Sequence, residues 1–225
     1  MDPTEPSPRD VTVAVERWQP VIGRPIFLPP APLAPQVPFQ VVLESRESRR
    51  KMSPPSLNRI AEFLWHGARV RAVAVGRSGL QWEHRASPSA GGLHAIRLIC
   101  QRPGEGAPLL YDALRHQFGE LSEFDGTLTV RFRENARVIV PDAEGALFCL
   151  VAEPCVVASA YKNHESLVWR DAGCLLATLH LCAQWLGLEF CPLGLLGNEL
   201  VAGIDSAGLI VPAGSFMLGE ACAPR

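Results

Sequence analysis

The longest patterned stretch of the chain runs from Val168 to Leu188, where apolar residues recur at three- and four-residue intervals. Ala172, Leu175, Leu176, Leu179, Cys182, Ala183 and Leu186 mark a stripe wider than a surface helix needs, and Gly187 supplies its stop. Ala172, Gly173 and Ala177 add small positions at which another backbone can come close. The pattern predicts a helix buried on most sides, in a domain core or at a subunit interface. A second amphipathic helix is predicted within Ser53–Val70, from a Ser-Pro start followed by Leu57, Ile60, Ala61, Leu64 and Trp65 at helical spacing. Leu93–Cys100 alternates after a glycine pair and reads as a strand, and Gly145–Pro154 carries an apolar run typical of a fully buried one. A short helix is expected over Pro108–Gln117, a strand-like half and a turn over Leu128–Val140, and further strands at Gly208–Val211 and Phe216–Leu218. This order of elements predicts an α+β or three-layer α/β/α fold with a mixed, mainly antiparallel sheet.

The N-terminal end has another character. Ten of the twenty prolines fall before residue 39, so the segment is extended and cannot donate the hydrogen bonds of a helix or a central strand. It nonetheless carries Trp18, Ile22, Ile26, Phe27 and Leu28, which a solvated linker has no use for. Residues 1–10 are expected to be disordered and residues 11–40 to form an arm lying on the body or on a partner subunit. Organised structure is expected from about Phe39, giving a proline-rich arm over residues 1–40 and one domain over residues 41–225.

Composition narrows the function classes. A formal net charge of −2 argues against bulk electrostatic binding of nucleic acid. The charged fraction of 20% is on the low side for a soluble domain, as suits a chain that hides surface in a dimer. The acidic, proline-rich start is no signal peptide, and Ala172–Phe190 is broken by His180 and Gln184, so a cytoplasmic protein without a membrane span is expected. The seven cysteines include no CxxC pair, which removes the usual zinc spacing and leaves them as reduced core residues. Neither GxGxxG nor a P-loop is present. The six histidines lack ligand spacing, and His180 on the long helix reads as a hydrogen-bonded packing residue.

Three segments remain that carry chemistry. Ser45-Arg46-Glu47-Ser48-Arg49-Arg50 stands just ahead of a helix, and arginine forks with hydroxyls suit phosphate oxygens. Arg85 to His94 holds Pro88, Ser89, Ala90, Gly91 and Gly92 in a loop whose backbone N–H groups can face a ligand. Gly187 to Gly194 leads from the long helix into a Pro/Gly loop ending at Leu193 and Gly194.

Order and spacing of these segments resemble the nitroreductase-like flavoenzymes, most closely the SagB-type dehydrogenases that oxidise azoline rings in ribosomal peptides. The shared pattern is Arg46, Ser48 and Arg50; a helix ending in Leu64-Trp65; Pro88 to His94 without a gap; and Asp171-Ala172-Gly173 leading to Gly187-Leu188 and Pro192 to Gly194. The resemblance spans about residues 40 to 220 and implies FMN held between the subunits of a homodimer. It implies that Arg46, Ser48 and Arg50 contact the phosphate and ribityl chain. Pro88, Ser89, Ala90 and Gly91 would lie along the flavin ring of the partner's site, and Leu193 and Gly194 would present backbone groups to the ring's N5 side. A Lys-Tyr pair that such enzymes carry before the long helix is reversed here, making Tyr161 and Lys162 the candidate catalytic residues. The basic residue that closes the phosphate site near the C-terminus would be Arg225. The implied substrates are a small molecule or a modified peptide, with a biosynthetic-complex partner and no metal. The alternative left open is a subunit of this fold that has lost turnover and serves as a scaffold.

Overall fold

The computed structural model describes residues 4–75 and 81–222. Strands β1 (Ser7–Pro8) and β2 (Ile22–Phe27) precede helices α1 (Phe39–Ser45) and α2 (Leu57–Gly67). The pair β3 (Ala72–Val75) and β4 (Gln81–His84) leads to β5 (Ile96–Gln101), β6 (Leu109–Asp112) and β7 (Gln117–Leu121). Next come α3 (Gly126–Ile139), β8 (Ala146–Ala152), α4 (Pro154–Ala160), β9 (Tyr161–Lys162) and the long α5 (Glu165–Trp185). The chain ends with β10 (Glu189–Leu193), α6 (Asn198–Ile204) and β11 (Val211–Gly219).

Seven strands form one sheet in the order β10-β11-β8-β5-β6-β7-β2, and every pairing within it is antiparallel. Alternation along β8 explains the layers. Ala146, Phe148, Leu150 and Ala152 enter a core shared with α2, α4 and α5. Leu147, Cys149 and Val151 enter a second core with Phe132 and Ala136 of α3 and Leu200 and Val201 of α6. Both faces are covered, so the strand is apolar at every position, as expected of a buried one. The fold is α+β with helices on both faces of the sheet.

The long helix starts three residues before the predicted Val168 and ends at Trp185, with Leu186 as its cap. α2 begins at an N-cap, Ser56, whose side chain accepts from the Arg59 backbone N–H. Four expectations need correction. Pro108–Gln117 is no helix but the strands β6 and β7 with a turn between them, because Leu109 and Tyr111 face one core and Leu110 the other. Leu128–Val140 lies in the helix α3: Asp125 caps Thr127 and Leu128, and the helix buries Thr129, Phe132 and Ala136 on one side. Pro192 and Leu193 belong to the edge strand β10 rather than to a loop. At the C-terminal end one strand, β11, replaces the predicted pair, with its register shifting between Pro212 and Gly214.

Order also begins before Phe39. Ile22–Phe27 is the far edge strand of the main sheet, where a proline at position 25 costs little. Ser7 and Pro8 pair with Lys162 and Tyr161. Between these two attachments the arm lies on the body, with Trp18 buried and Arg17 gripping Glu153 through two hydrogen bonds of 2.8 and 3.0 Å. Further along, the Trp185 indole N–H donates to the Pro35 carbonyl at 3.1 Å.

Candidate functional site

The segment after α1 is fixed through its backbone while its side chains stay exposed. The Arg49 N–H donates to the Phe190 carbonyl at 2.9 Å, the His180 ring to the Glu47 carbonyl at 3.1 Å, and the Gln184 amide to Ser45 Oγ at 3.1 Å. Arg46, Ser48 and Arg50 all face solvent. The carboxylates nearby are taken up by Arg49, which meets Glu47 at 2.6 Å and Glu189 at 3.6 Å. Glu47 therefore opposes Arg49 and leaves Arg46 and Arg50, which form no ion pair among the described residues. Arg50 lies against Cys191, where it partly offsets the rise that burial imposes on that thiol. His180 is a packing residue, as its place on the helix predicts: its ring stacks on Phe190 at 4.7 Å. Burial depresses its pKa, the Glu47 carbonyl opposes that, and the Arg46 charge adds to it, so the ring is neutral at pH 7.

Pro88 to Gly91 is shaped by Asp171, a buried carboxylate near the start of α5. Ser89 Oγ donates to it at 2.6 Å, and the Ala90 N–H reaches both of its oxygens at 3.0 Å. Ser89 Oγ in turn accepts from the His94 N–H at 3.0 Å. Gly91 has φ of 57°, and a Cβ there would stand 3.0 Å from the Tyr161 hydroxyl, so both handedness and space call for glycine. Tyr161 is thus brought against the loop, whereas Lys162 is exposed on the short strand that the arm pairs with. His94 is pushed down to about 4, first by burial and then by the Arg85 charge.

Leu193 and Gly194 close β10, three positions on from the Phe190 carbonyl that holds Arg49. The structure consequently gathers the predicted residues into two groups. Arg46, Ser48, Arg50, Leu193 and Gly194 share one edge of the sheet. Pro88 to Gly91 and Tyr161 cluster at the start of α5. The nine residue steps of α5 from Asp171 to His180 span about 13.5 Å of helix rise, which keeps the groups apart within one protomer. Arg225 lies outside the described residues.

Sequence reading missed Asp171 as the residue that pins the loop, although the helical start of Asp171-Ala172-Gly173 was visible. It also missed the buried Glu153, which holds Arg17 and Arg97. These three lie too far apart in sequence for any local signal to join them.

The nitroreductase family model matches residues 43–205, and the chain belongs to the nitroreductase family. No curated protein matches it. Among solved structures it is similar to a Ralstonia eutropha protein assigned as a nitroreductase, at 20% identity and a TM-score of 0.66, covering 97% of this chain and 100% of that one. An Anabaena variabilis protein with the same assignment gives 18% identity and a TM-score of 0.64, over 91% of this chain but 40% of that one. The Escherichia coli microcin synthetase complex McbBCD, solved with truncated pro-MccB17 bound, contains a chain 14% identical with a TM-score of 0.56, over 88% of this chain and 78% of that one. At such identities the structural matches establish the fold. Nitroreductase-family proteins generally bind flavin, and membership supports a flavin oxidoreductase in general. No helix among the described residues is long and apolar enough to cross a membrane.

Proposed function

We propose that the protein is an FMN-dependent oxidoreductase that binds its flavin between two subunits. The observation that carries this reading is the pair of exposed guanidiniums, Arg46 and Arg50, flanking Ser48 on a backbone tied to β10 and α5. Such a preorganised, cationic and unneutralised segment fits a phosphate and a polyol chain. Leu193 and Gly194, farther along the same edge, would lie toward the flavin's N5 side. When bound, FMN supplies two-electron hydride chemistry, so the chain itself needs to bind, orient and exclude water.

The separation of the two residue groups supports a site completed across a homodimer. Pro88, Ser89, Ala90 and Gly91 sit at the other end of α5 from the arginines, so they would reach the partner's ring rather than their own. The outer face of α5 suits that pairing, because Gly173, Cys174 and Ala177 are exposed there beside a half-exposed Trp169. Tyr161, whose hydroxyl adjoins Gly91, would handle a proton beside the ring, with Lys162 next to it. The substrate is a small molecule or a modified peptide, and azoline-to-azole oxidation of the SagB type is the particular reaction this proposal favours. That chemistry would place the protein in the cytoplasm beside a biosynthetic partner.

Purified protein titrated with FMN tests the reading by fluorescence quenching and by absorbance. Saturable one-to-one binding per subunit is expected, with Arg46→Ala or Arg50→Ala weakening it by about tenfold or more. Protein that ignores FMN sinks the proposal. Variants that keep flavin but lose a partner would point to the scaffold alternative.

A further inference from the structure

A cavity of about 1080 Å³ lies under the N-terminal arm, away from the Arg46–Arg50 segment. It opens where two strands of the main sheet part. β5 and β6 pair only at Ile99↔Leu110 and Cys100↔Leu109. Beyond these rungs β5 continues along β8 to Ile96↔Ala152, and β6 continues along β7 to Asp112↔Gln117. The strand edges at Arg97 and Tyr111 border the resulting gap instead of each other, and backbone polar groups in such a gap need water or a ligand. Arm residues 12–15 and 17–20 form another wall.

The charges around this space do not balance. Its lining includes four arginines, Arg17, Arg85, Arg97 and Arg115, against three carboxylates, Glu83, Asp112 and Glu153. Arg85 is closed on Glu83 at 2.5 and 2.8 Å. Arg115 meets Asp112 at 3.0 Å on the rim. Glu153, with a side chain 1% exposed, accepts from both Nε and Nη2 of Arg17. Arg97 is left with a 3.6 Å approach to the same carboxylate and the face of Trp18 at 5.0 Å. It donates no hydrogen bond among the described residues. Burial lowers its pKa, Glu153 and more weakly Asp112 oppose that and Arg17 adds to it, so the part-buried guanidinium shares its nearest anion with Arg17 instead of holding one of its own. A planar fork in that state is a carboxylate receptor. Leu110, Val156 and Leu175 supply apolar wall beside it.

We propose that this cavity binds a small organic carboxylate with an apolar body, its head group on Arg97 and its body along Trp18 and the parted strands. The site is separate from the Arg46–Arg50 segment. It does share Arg85, His94 and Leu175 with the wall behind the Pro88–Ser89 loop, so an occupant would rest against the back of that loop.

The test is calorimetric titration of the full-length protein with benzoate and 2-naphthoate, each beside its neutral amide. At least one carboxylate is expected to bind about tenfold or more tightly than its amide. Arg97→Gln should erase that preference with the melting temperature held, while Arg46→Gln should leave it intact and lower only FMN affinity. In the unmodified protein the Trp18 indole N–H resonance, assigned through Trp18→Phe, should shift with the carboxylate and not with the amide. Equal binding of acid and amide, binding of neither, or an unmoved Trp18 signal would overturn the proposal. None of these readouts depends on flavin, so failure of the flavin reading would be seen separately.

Discussion

Asp171 and His94 illustrate how much of the candidate site rests on single groups. Asp171 receives three hydrogen-bond contacts from Ser89 and Ala90, which fixes the loop before any ligand arrives. His94 sits at the end of that loop with φ of 47° and its ring against the Glu83 carbonyl at 3.0 Å. Its value of about 4, set by burial and the Arg85 charge with Glu83 opposing, lies below the ordinary 6.5 of an unfolded chain. Unfolding therefore takes up a proton between these values. The stability His94 contributes is complete above pH 6.5 and is lost as pH falls toward about 4. Burial lowers His66, His116 and His180 as well, so they act in the same direction. Denaturant titrations at a series of pH values should show stability falling from pH 6.5 downward, and His94→Gln should flatten that slope. A slope unchanged by the substitution would remove His94 from the account.

At the scale of elements, the sequence was legible where a helix carried its pattern on one face or a covered strand had a long apolar run, and obscure where a covered strand was short. α2 and α5 could be read from spacing, and so could β8 from its unbroken apolar run. β6 could not, because Leu109, Leu110 and Tyr111 are all buried and so show no alternation. Its turn is equally quiet: no glycine marks it, only Asp112 Oδ1 accepting from the Leu114 and Arg115 N–H groups and His116 at φ of 50°. α3 was hidden by β-branched Thr127, Thr129, Val130, Val138 and Ile139, whose intrinsic preference the packing of Phe132 and Ala136 overrides. Its cap, however, could have been seen in Asp125. Asp125→Ala removes acceptors for two backbone N–H groups and should lower stability by about 1 kcal/mol, measured by urea denaturation. The candidate site divides the same way. Arg46 to Arg50 and Pro88 to Gly91 are contiguous and so can be proposed as segments, whereas Arg17 and Glu153 meet across 136 positions.

For the whole molecule, the proposed homodimer rests on the outer face of α5, through which a second copy would complete the site. Gly173 offers a clean probe, since a Cβ there meets nothing within 4 Å in the protomer. Gly173→Glu should leave the monomer folded while placing a charge in the proposed interface. Sedimentation should then shift from dimer to monomer, with flavin affinity falling in parallel; an unchanged dimer would move the interface elsewhere. The arm has a further consequence, for biosynthesis. Arg9 is seated on Ala158, 149 positions later in the chain. The arm thus leaves the ribosome long before the surface it settles on. A nascent chain can lay β2 on β7 once Leu121 has emerged. It cannot lock Arg17 until Glu153 has been made. For this segment the order of synthesis and the order of assembly run in opposite directions, and the space beneath the arm closes only after Glu153 has been made.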